Sequence, residues 1–353
     1  MDKIESRRVK ISILLSVTLS ILIIILILYF TVDAETLSML ENKNIRYEFF
    51  IIAILLQILT WFIWGARLKV LSNAVVRQPY ISLWESTKIV MANMFLAGIT
   101  PSMAGGEPVR IYLLNKDGLS IGAATASVLG ERLLDAFIIL GCVPLALIIF
   151  QQYLSLGIIR LGLTIGVFVF IIAIILFFLS LRYPDKTKSI IISISRKFKR
   201  FHRKDDDGFS IVERINREVD AFHKGMYFFL KGGRKPFIIA GFLTILYWGT
   251  AFLIPSMILL ALNLPPVFLA SYAAQVLLIV IIMMPTTPGS AGVGEGSIAA
   301  LYSVLIGSTF IGVFVLIFRL ITFHLNLIVG AIFQYRIFRS ITSFSFNQIQ
   351  QKK

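Results

Sequence analysis

The chain has 353 residues, 57% of them hydrophobic and 15% charged, with a mean hydropathy of +0.86. Soluble domains carry nearer a quarter charged residues, so this composition excludes a water-soluble globular protein and indicates an integral membrane one. The formal net charge of +15 suits cytoplasmic loops and contact with anionic headgroups. No soluble basic domain accompanies it, so nucleic-acid binding is not expected.

Lys3, Arg7, Arg8 and Lys10 make the N-terminus basic, which places it in the cytoplasm. Val9 to Phe30 predicts a first span, retained because no small-residue cleavage site follows it. Thr31 to Glu48 carries Asp33, Glu35, Glu41 and Glu48 and reads as an external loop. Phe49 to about Leu68 predicts a second span with Trp61 and Trp64 toward its end, held inside by Arg67, Lys69 and Arg77.

Ser82 to Gly98 has Glu85 and Lys88 in its first turns. Its apolar part then covers about half a membrane thickness at roughly 1.5 Å per residue. The motif Thr100-Pro101-Ser102-Met103-Ala104-Gly105-Gly106-Glu107 breaks it, and a polar return runs from Glu107 to Ser120 with Arg110, Lys116 and Asp117. This predicts a hairpin that enters from the cytoplasm and goes back. Ile121 to Phe150 predicts a third span with Glu131, Arg132 and Asp135 in its interior. It also holds Cys142, the single cysteine, which leaves no disulfide framework or cysteine metal site. Ile158 to Leu181 predicts a fourth span.

Residues 182–235 form a basic cytoplasmic loop, densest from Arg196 to Lys204. Ser210 and Glu213 form a capping box before Ile211, Val212, Ile215, Val219 and Phe222 at helical spacing. That helix lies either on anionic headgroups or against the membrane domain. Pro236 to Leu262 predicts a fifth span, and Pro265-Pro266 a tight external turn. Val267 to Met284 is a short apolar run that breaks at Pro285-Thr286-Thr287-Pro288. A second motif follows, Thr287-Pro288-Gly289-Ser290-Ala291-Gly292-Val293-Gly294-Glu295, and Gly296 to Ile306 returns. The final span runs from about Thr309 to Tyr335, and Arg336, Arg339, Lys352 and Lys353 place the C-terminus, with a polar tail at 341–353, in the cytoplasm.

The two motifs align as T-P-x-x-A-G-(x)-G-E. Trp64-Gly65 precedes the first and Trp248-Gly249 the second. Arg132 follows Glu107 at nearly the spacing by which Arg319 follows Glu295. The expected fold is therefore an all-α polytopic membrane domain over residues 1–340. It has about six full transmembrane helices and two re-entrant helical hairpins. These form an inverted repeat of units about 49–150 and 236–335, the second hairpin entering from outside. Gly/Pro-interrupted segments in matching halves point to a site near the bilayer midplane.

Ionisable groups within spans face a partner or a cavity. Glu131, Arg132, Asp135 and Arg319 qualify, with Glu107 and Glu295 at the hairpin turns. One reading is a structural network in which Glu107 or Glu131 pairs with Arg132 or Arg319. The other is an anion site, because arginine forks suit phosphate. In that site Thr100, Pro101, Gly105, Gly106, Thr287, Pro288, Gly292 and Gly294 bring backbone N–H groups and helix N-termini toward a headgroup. His202, His223 and His324 form no metal motif, and no dinucleotide fingerprint has its strand–helix setting, so no cofactor or metal is expected and enzyme activity is disfavoured.

The stretches Gly98-Ile99-Thr100-Pro101, Gly105-Gly106-Glu107-Pro108-Val109-Arg110, Gly130-Glu131-Arg132-Leu133-Leu134-Asp135 and Pro288 to Glu295 resemble the lysylphosphatidylglycerol synthase transmembrane-region (flippase-like, UPF0104) family. The resemblance extends from about residue 10 to 340. It implies a region that moves an aminoacylated phospholipid between leaflets in bacterial synthases, where a separate soluble domain performs aminoacyl transfer. The 353 residues leave no room for that domain, so aminoacylation is not expected. Archaeal relatives joined to glycosyltransferase domains imply polyprenyl-phosphate-linked sugars as a second class of cargo.

The expected function is a lipid translocator of the cell membrane. Its cargo is a phosphate-bearing phospholipid or polyprenyl-phosphate-linked lipid. The alternatives are an ion-coupled small-solute transporter, an intramembrane lipid-phosphate enzyme, and a scaffold for a glycosyltransferase. A partner glycosyltransferase or a second copy of the chain are the protein partners left open.

Overall fold

A backbone in hydrocarbon must satisfy its own N–H and C=O groups, which leaves helices as the element these apolar runs can form. The computed structural model describes residues 45–76, 81–100, 105–150, 234–282, 290–307 and 309–335, with scattered positions between 25 and 29 and between 168 and 227. Among the described residues the elements are all helical: the protein is an all-α polytopic membrane protein. Most of the first and fourth spans, the capping box of Ser210 and Glu213, and the C-terminal tail lie outside the described residues.

Eight helices are described: α1 Tyr47–Val76, α2 Leu83–Ile99, α3 Gly106–Lys116, α4 Ile121–Phe150, α5 Arg234–Ala261, α6 Phe268–Ile282, α7 Val293–Ile306 and α8 Ile311–Tyr335. α1, α4, α5 and α8 have 30, 30, 28 and 25 residues. At roughly 1.5 Å per residue each exceeds the ~30 Å hydrocarbon core. α2, α3, α6 and α7 have 17, 11, 15 and 14 residues, and each falls short of that thickness. The order long, short, short, long therefore occurs twice.

Local chemistry sets the short elements. Ser82 caps α2, its hydroxyl accepting the Glu85 N–H (3.2 Å) while Glu85 accepts the Ser82 N–H (2.9 Å). This capping box stabilises the helix start by about 1 kcal/mol. At the other end Thr100 takes the extended conformation that a following proline imposes (φ −114, ψ 149). Its hydroxyl donates to the Leu96 carbonyl and accepts the Gly105 N–H, both at 2.8 Å, and so ties the end of α2 to the start of α3. Pro101, Thr287 and Pro288 lie outside the described residues. Gly292 opens α7 with φ +89, a conformation that glycine adopts without a Cβ clash.

The packing repeats as well. α1 lies on α2 and α5 on α6; α2 on α3 and α6 on α7; α3 on α4 and α7 on α8; α1 on α4 and α5 on α8. The broadest contact, α1 on α5, joins the two units. Each unit also lends its last long helix to the other's hairpin: α4 packs on α6, and α8 packs on α2 through Gly330, where an added Cβ would lie 2.6 Å from the Phe95 nitrogen and 3.0 Å from the Met91 oxygen. Lipid tails are as apolar as the helices, so such close backbone approach and van der Waals packing hold the bundle together. A buried apolar cluster that includes Ile254, Leu277, Tyr302 and Phe314 of the second unit also takes in Phe150 of α4; Leu68, Val90, Leu114 and Val128 belong to a cluster in the first.

Gly330→Leu is expected to destabilise the protein by about 1–3 kcal/mol, because the backbone of α2 has no room to yield. Thermal unfolding in detergent measures this; an unchanged melting temperature would show that α8 does not pack there.

Candidate functional site

Two acidic residues one turn apart on α4, Glu131 and Asp135, share a helix face. Both are buried, at 0% and 7% exposure. Carboxylates held away from water require cations, and the fold supplies them from three elements. Arg67 of α1 places Nε 3.2 Å from Glu131 and Nη1 and Nη2 2.5 and 3.3 Å from the two oxygens of Asp135. Arg110 of α3 donates Nη1 to the other Glu131 oxygen. Arg132 of α4 donates Nε (2.7 Å) and Nη2 to Glu107 of α3, and its Nη1 lies 3.7 Å from Asp135. Three guanidinium groups thus meet three carboxylates, and the cluster is neutral.

Aromatic donors from both units close the cluster. The indole N–H of Trp64 on α1 reaches Glu131 at 3.4 Å, and that of Trp248 on α5 reaches Asp135 at 2.9 Å. Tyr247 packs edge-on against both indoles, with ring centroids 5.7 and 5.0 Å away. The Arg67 guanidinium lies 5.3 Å from the Tyr247 ring, and that of Arg110 lies 5.2 Å from Trp64. Thr244 of α5 accepts from Arg67 at 3.2 Å. The tryptophans that mark the sequence repeat therefore converge on one helix, α4.

Exposure divides the cluster. Arg67, Arg110 and Glu131 side chains are 0–1% exposed, whereas Arg132 is 39% and Glu107 24%. The Glu107–Arg132 pair is the rim of an otherwise sealed group, and it lies where α3 begins, beside Gly105 and Gly106.

A second, smaller group belongs to the second unit. Glu295 in the first turn of α7 meets Arg319 of α8 at 2.7 Å, and its other oxygen accepts the Gly292 N–H at 2.6 Å. An added Cβ on Gly294 would lie 3.7 Å from the Arg319 guanidinium, which itself sits 3.9 Å from the Phe323 ring. Directly after Arg319 the helix widens into a π turn, Leu320–His324. Such turns concentrate at functional sites. Here side chains cap its carbonyls: His324 Nδ1 donates to Arg319 O (3.1 Å) and Asn326 Nδ2 to Thr322 O (2.6 Å). Asn326 also accepts from Gln57 and Trp61 of α1, at 3.1 and 2.8 Å. Phe323 and Leu327 press on Gly98, so the end of α2 reaches the Arg319 group through one aromatic ring.

The structure therefore gathers the candidate residues into two groups. In each, the glutamate that opens the return helix pairs with the arginine of the following long helix: Glu107 with Arg132, Glu295 with Arg319. Glu131 pairs with neither Arg132 nor Arg319 but with Arg67 and Arg110. Arg67 corrects the sequence reading. It does not sit at the inner end of the second span, because α1 continues to Val76 and buries Arg67 within the bundle. Trp61 and Trp64 accordingly lie mid-helix. A usable signal existed: α4 carries two carboxylates and one arginine, so balancing cations had to come from elsewhere, and Arg67 stands three residues after Trp64 on the same helix face.

The family described as the lysylphosphatidylglycerol synthase TM region matches this chain over residues 13–330. A UPF0104 membrane protein of Archaeoglobus fulgidus is 34% identical over 311 residues, covering 86% of this chain and 90% of its own length. A UPF0104 membrane protein of Methanocaldococcus jannaschii is 27% identical over 311 residues, covering 84% and 87%. One of Methanothermobacter thermautotrophicus is 24% identical over 282 residues, covering 76% and 78%. No solved structure matches. The chain belongs to the lysylphosphatidylglycerol synthase transmembrane-region family of multi-pass membrane proteins, and that membership ties it to membrane lipid.

Proposed function

We propose that the protein is a translocator that moves a phosphate-bearing phospholipid or polyprenyl-phosphate-linked lipid between leaflets of the cell membrane. The observation that carries this reading is Arg132, a guanidinium 39% exposed at the rim of a buried, neutral ion cluster at the mouth of the first hairpin. A headgroup phosphate can exchange with the Glu107 carboxylate on the Arg132 fork while its tails remain in lipid. The second group, Glu295 and Arg319, is the matching half approached from the other leaflet.

Loop charges support an inverted arrangement with both termini cytoplasmic. The four short helices, each under the hydrocarbon thickness, support re-entrant hairpins. The basic segment from Arg196 to Lys204 suits anionic headgroups. Catalysis at one surface would leave the repetition of the glutamate–arginine pair in two units without a purpose.

Reconstitution into sealed vesicles tests the reading. The protein should accelerate the loss of fluorescence from a labelled phospholipid to a membrane-impermeant quencher; equal rates with and without protein, for both phosphatidylglycerol and a polyprenyl phosphate, would contradict it. Arg132→Ala is expected to slow translocation by about 10–100-fold, since a hydrogen bond to a charged group contributes roughly 1.5–3 kcal/mol. Lys197→Ala should leave the rate within about twofold, as one charge of a dense basic run.

Arg67→Ala is expected to act differently. It strands Glu131 and Asp135 and should destabilise the fold by about 3–5 kcal/mol, seen as loss of a monodisperse peak in detergent. A well-folded Arg67→Ala protein would show that the cluster does not support the bundle.

A further inference from the structure

We infer that Glu107 is a mobile carboxylate with two guanidinium partners, and that its move from Arg132 to Arg110 opens Arg132 to an anionic headgroup. The inference deepens the translocator reading and rests on it for the nature of the anion.

Arg110 is the element that calls for a mobile partner. Its side chain is fully buried and spends only Nη1, on Glu131. Nε and Nη2 find no hydrogen-bond partner among the described residues. Leaving buried donors unsatisfied costs about 1–3 kcal/mol, more for charged groups. Glu107 stands one turn earlier on the same helix, and its Oε1 already lies 3.9 Å from Arg110 Nη2. A charge-assisted hydrogen bond needs roughly 2.7–2.9 Å, so a side-chain movement of about 1 Å forms the new bond, and a further turn of the carboxylate away from Arg132 completes the exchange.

Glu107 is free to make that movement. It is 24% exposed, and it does not cap α3, because the Gly105 N–H is taken by the Thr100 hydroxyl. Its counterpart is not free. Glu295 is clamped between Arg319 and the Gly292 N–H. The two units thus share one ion pair and differ in function: the pair at α3 can exchange partners, and the pair at α7 is an anchor.

The exchange conserves charge. With Glu107 on Arg110, the interior pair Arg110–Glu131 gains a second carboxylate neighbour. Arg132 then retains only Asp135, at 3.7 Å, and its Nε and Nη2 face outward as an empty fork. An arriving anion occupies that fork; its departure returns Glu107. Because Glu107 is on α3 and Arg132 on α4, each cycle also breaks and remakes one tie between these helices, while Arg110–Glu131 holds the other.

Trp64 provides a reporter, since its ring lies 5.2 Å from the Arg110 guanidinium. In protein labelled with 5-fluorotryptophan, the Trp64 ¹⁹F resonance is assigned by Trp64→Phe. Dihexanoyl phosphatidylglycerol is titrated in detergent micelles against dihexanoyl phosphatidylcholine. The expected result is a saturable Trp64 shift with the anionic lipid alone, absent in Arg132→Gln. Arg110→Lys keeps the charge against Glu131 but has a single ammonium, and should bind the probe at least fivefold more weakly. Glu107→Gln removes the carboxylate that blocks the fork and should bind severalfold more tightly. An unchanged affinity in Arg110→Lys, or a weaker one in Glu107→Gln, would overturn the exchange. So would a wild-type resonance that the anionic probe does not move. Vesicle translocation by the same preparation separates that failure from a failure of the translocator reading.

Discussion

Two carboxylates on α4 have to be neutralised inside a membrane, and much of the structure follows from that requirement. Glu131 and Asp135 draw Arg67 from α1 and Arg110 from α3, and Trp248 and Thr244 of α5 complete the shell. Four helices from both units are thereby fixed around one point. An isolated charge there would be costly; a closed set of three cations and three anions is tolerated because each group meets partners of opposite sign. A buried ion network is weak evidence for stability but good evidence for a specific arrangement. Only Arg132 and Glu107 at its edge remain within reach of anything outside the protein.

The repeat gives this cluster a partner without making it symmetric. Both units run long, short, short, long, and both pair a hairpin glutamate with the arginine of the next long helix. Equivalent positions are used in different ways. Thr87 and Tyr272 each stand one turn into the first short helix of their unit. An added Cβ on Gly65 would collide with Thr87, whereas Tyr272 donates to the Gly249 carbonyl at 2.6 Å. The first return helix is polar and carries Arg110; the second is apolar and has no equivalent cation. A duplicated scaffold with one adaptable half and one fixed half suits the proposed translocator, which would respond to cargo while holding its shape.

Much of this was legible in the sequence. Apolar run lengths gave α5 and α8 to within a few residues, and α4 matched its expected bounds, whereas α1 continues past the expected end near Leu68 to Val76. The Thr-Pro motifs announced the helix breaks, because proline forces the preceding residue out of helical geometry, as Thr100 shows. Nearly equal glutamate–arginine spacing singled out these residues, without deciding which glutamate meets which arginine. What escaped were groups whose role depends on the approach of distant elements. Arg67 looks like a positive-inside loop residue until α5 and α4 are seen to enclose it, 64 and 68 residues separating it in sequence from Glu131 and Asp135. Glu85 is a local case: it reads as a polar residue in the first turns of its segment, and with Ser82 it forms a capping box. The π turn at Leu320–His324 leaves no mark in residue spacing, since its carbonyls are satisfied by His324 and Asn326 side chains.

On the proposed reading, a sealed, neutral ion cluster exposes one arginine to lipid phosphate. A structure determined in nanodiscs containing anionic phospholipid would show whether it does. Lipid phosphate density is expected within hydrogen-bond distance of Arg132, with Glu107 turned to Arg110 and with Arg67, Glu131 and Asp135 unmoved. Lipid bound elsewhere, with Glu107 still closed on Arg132, would contradict it.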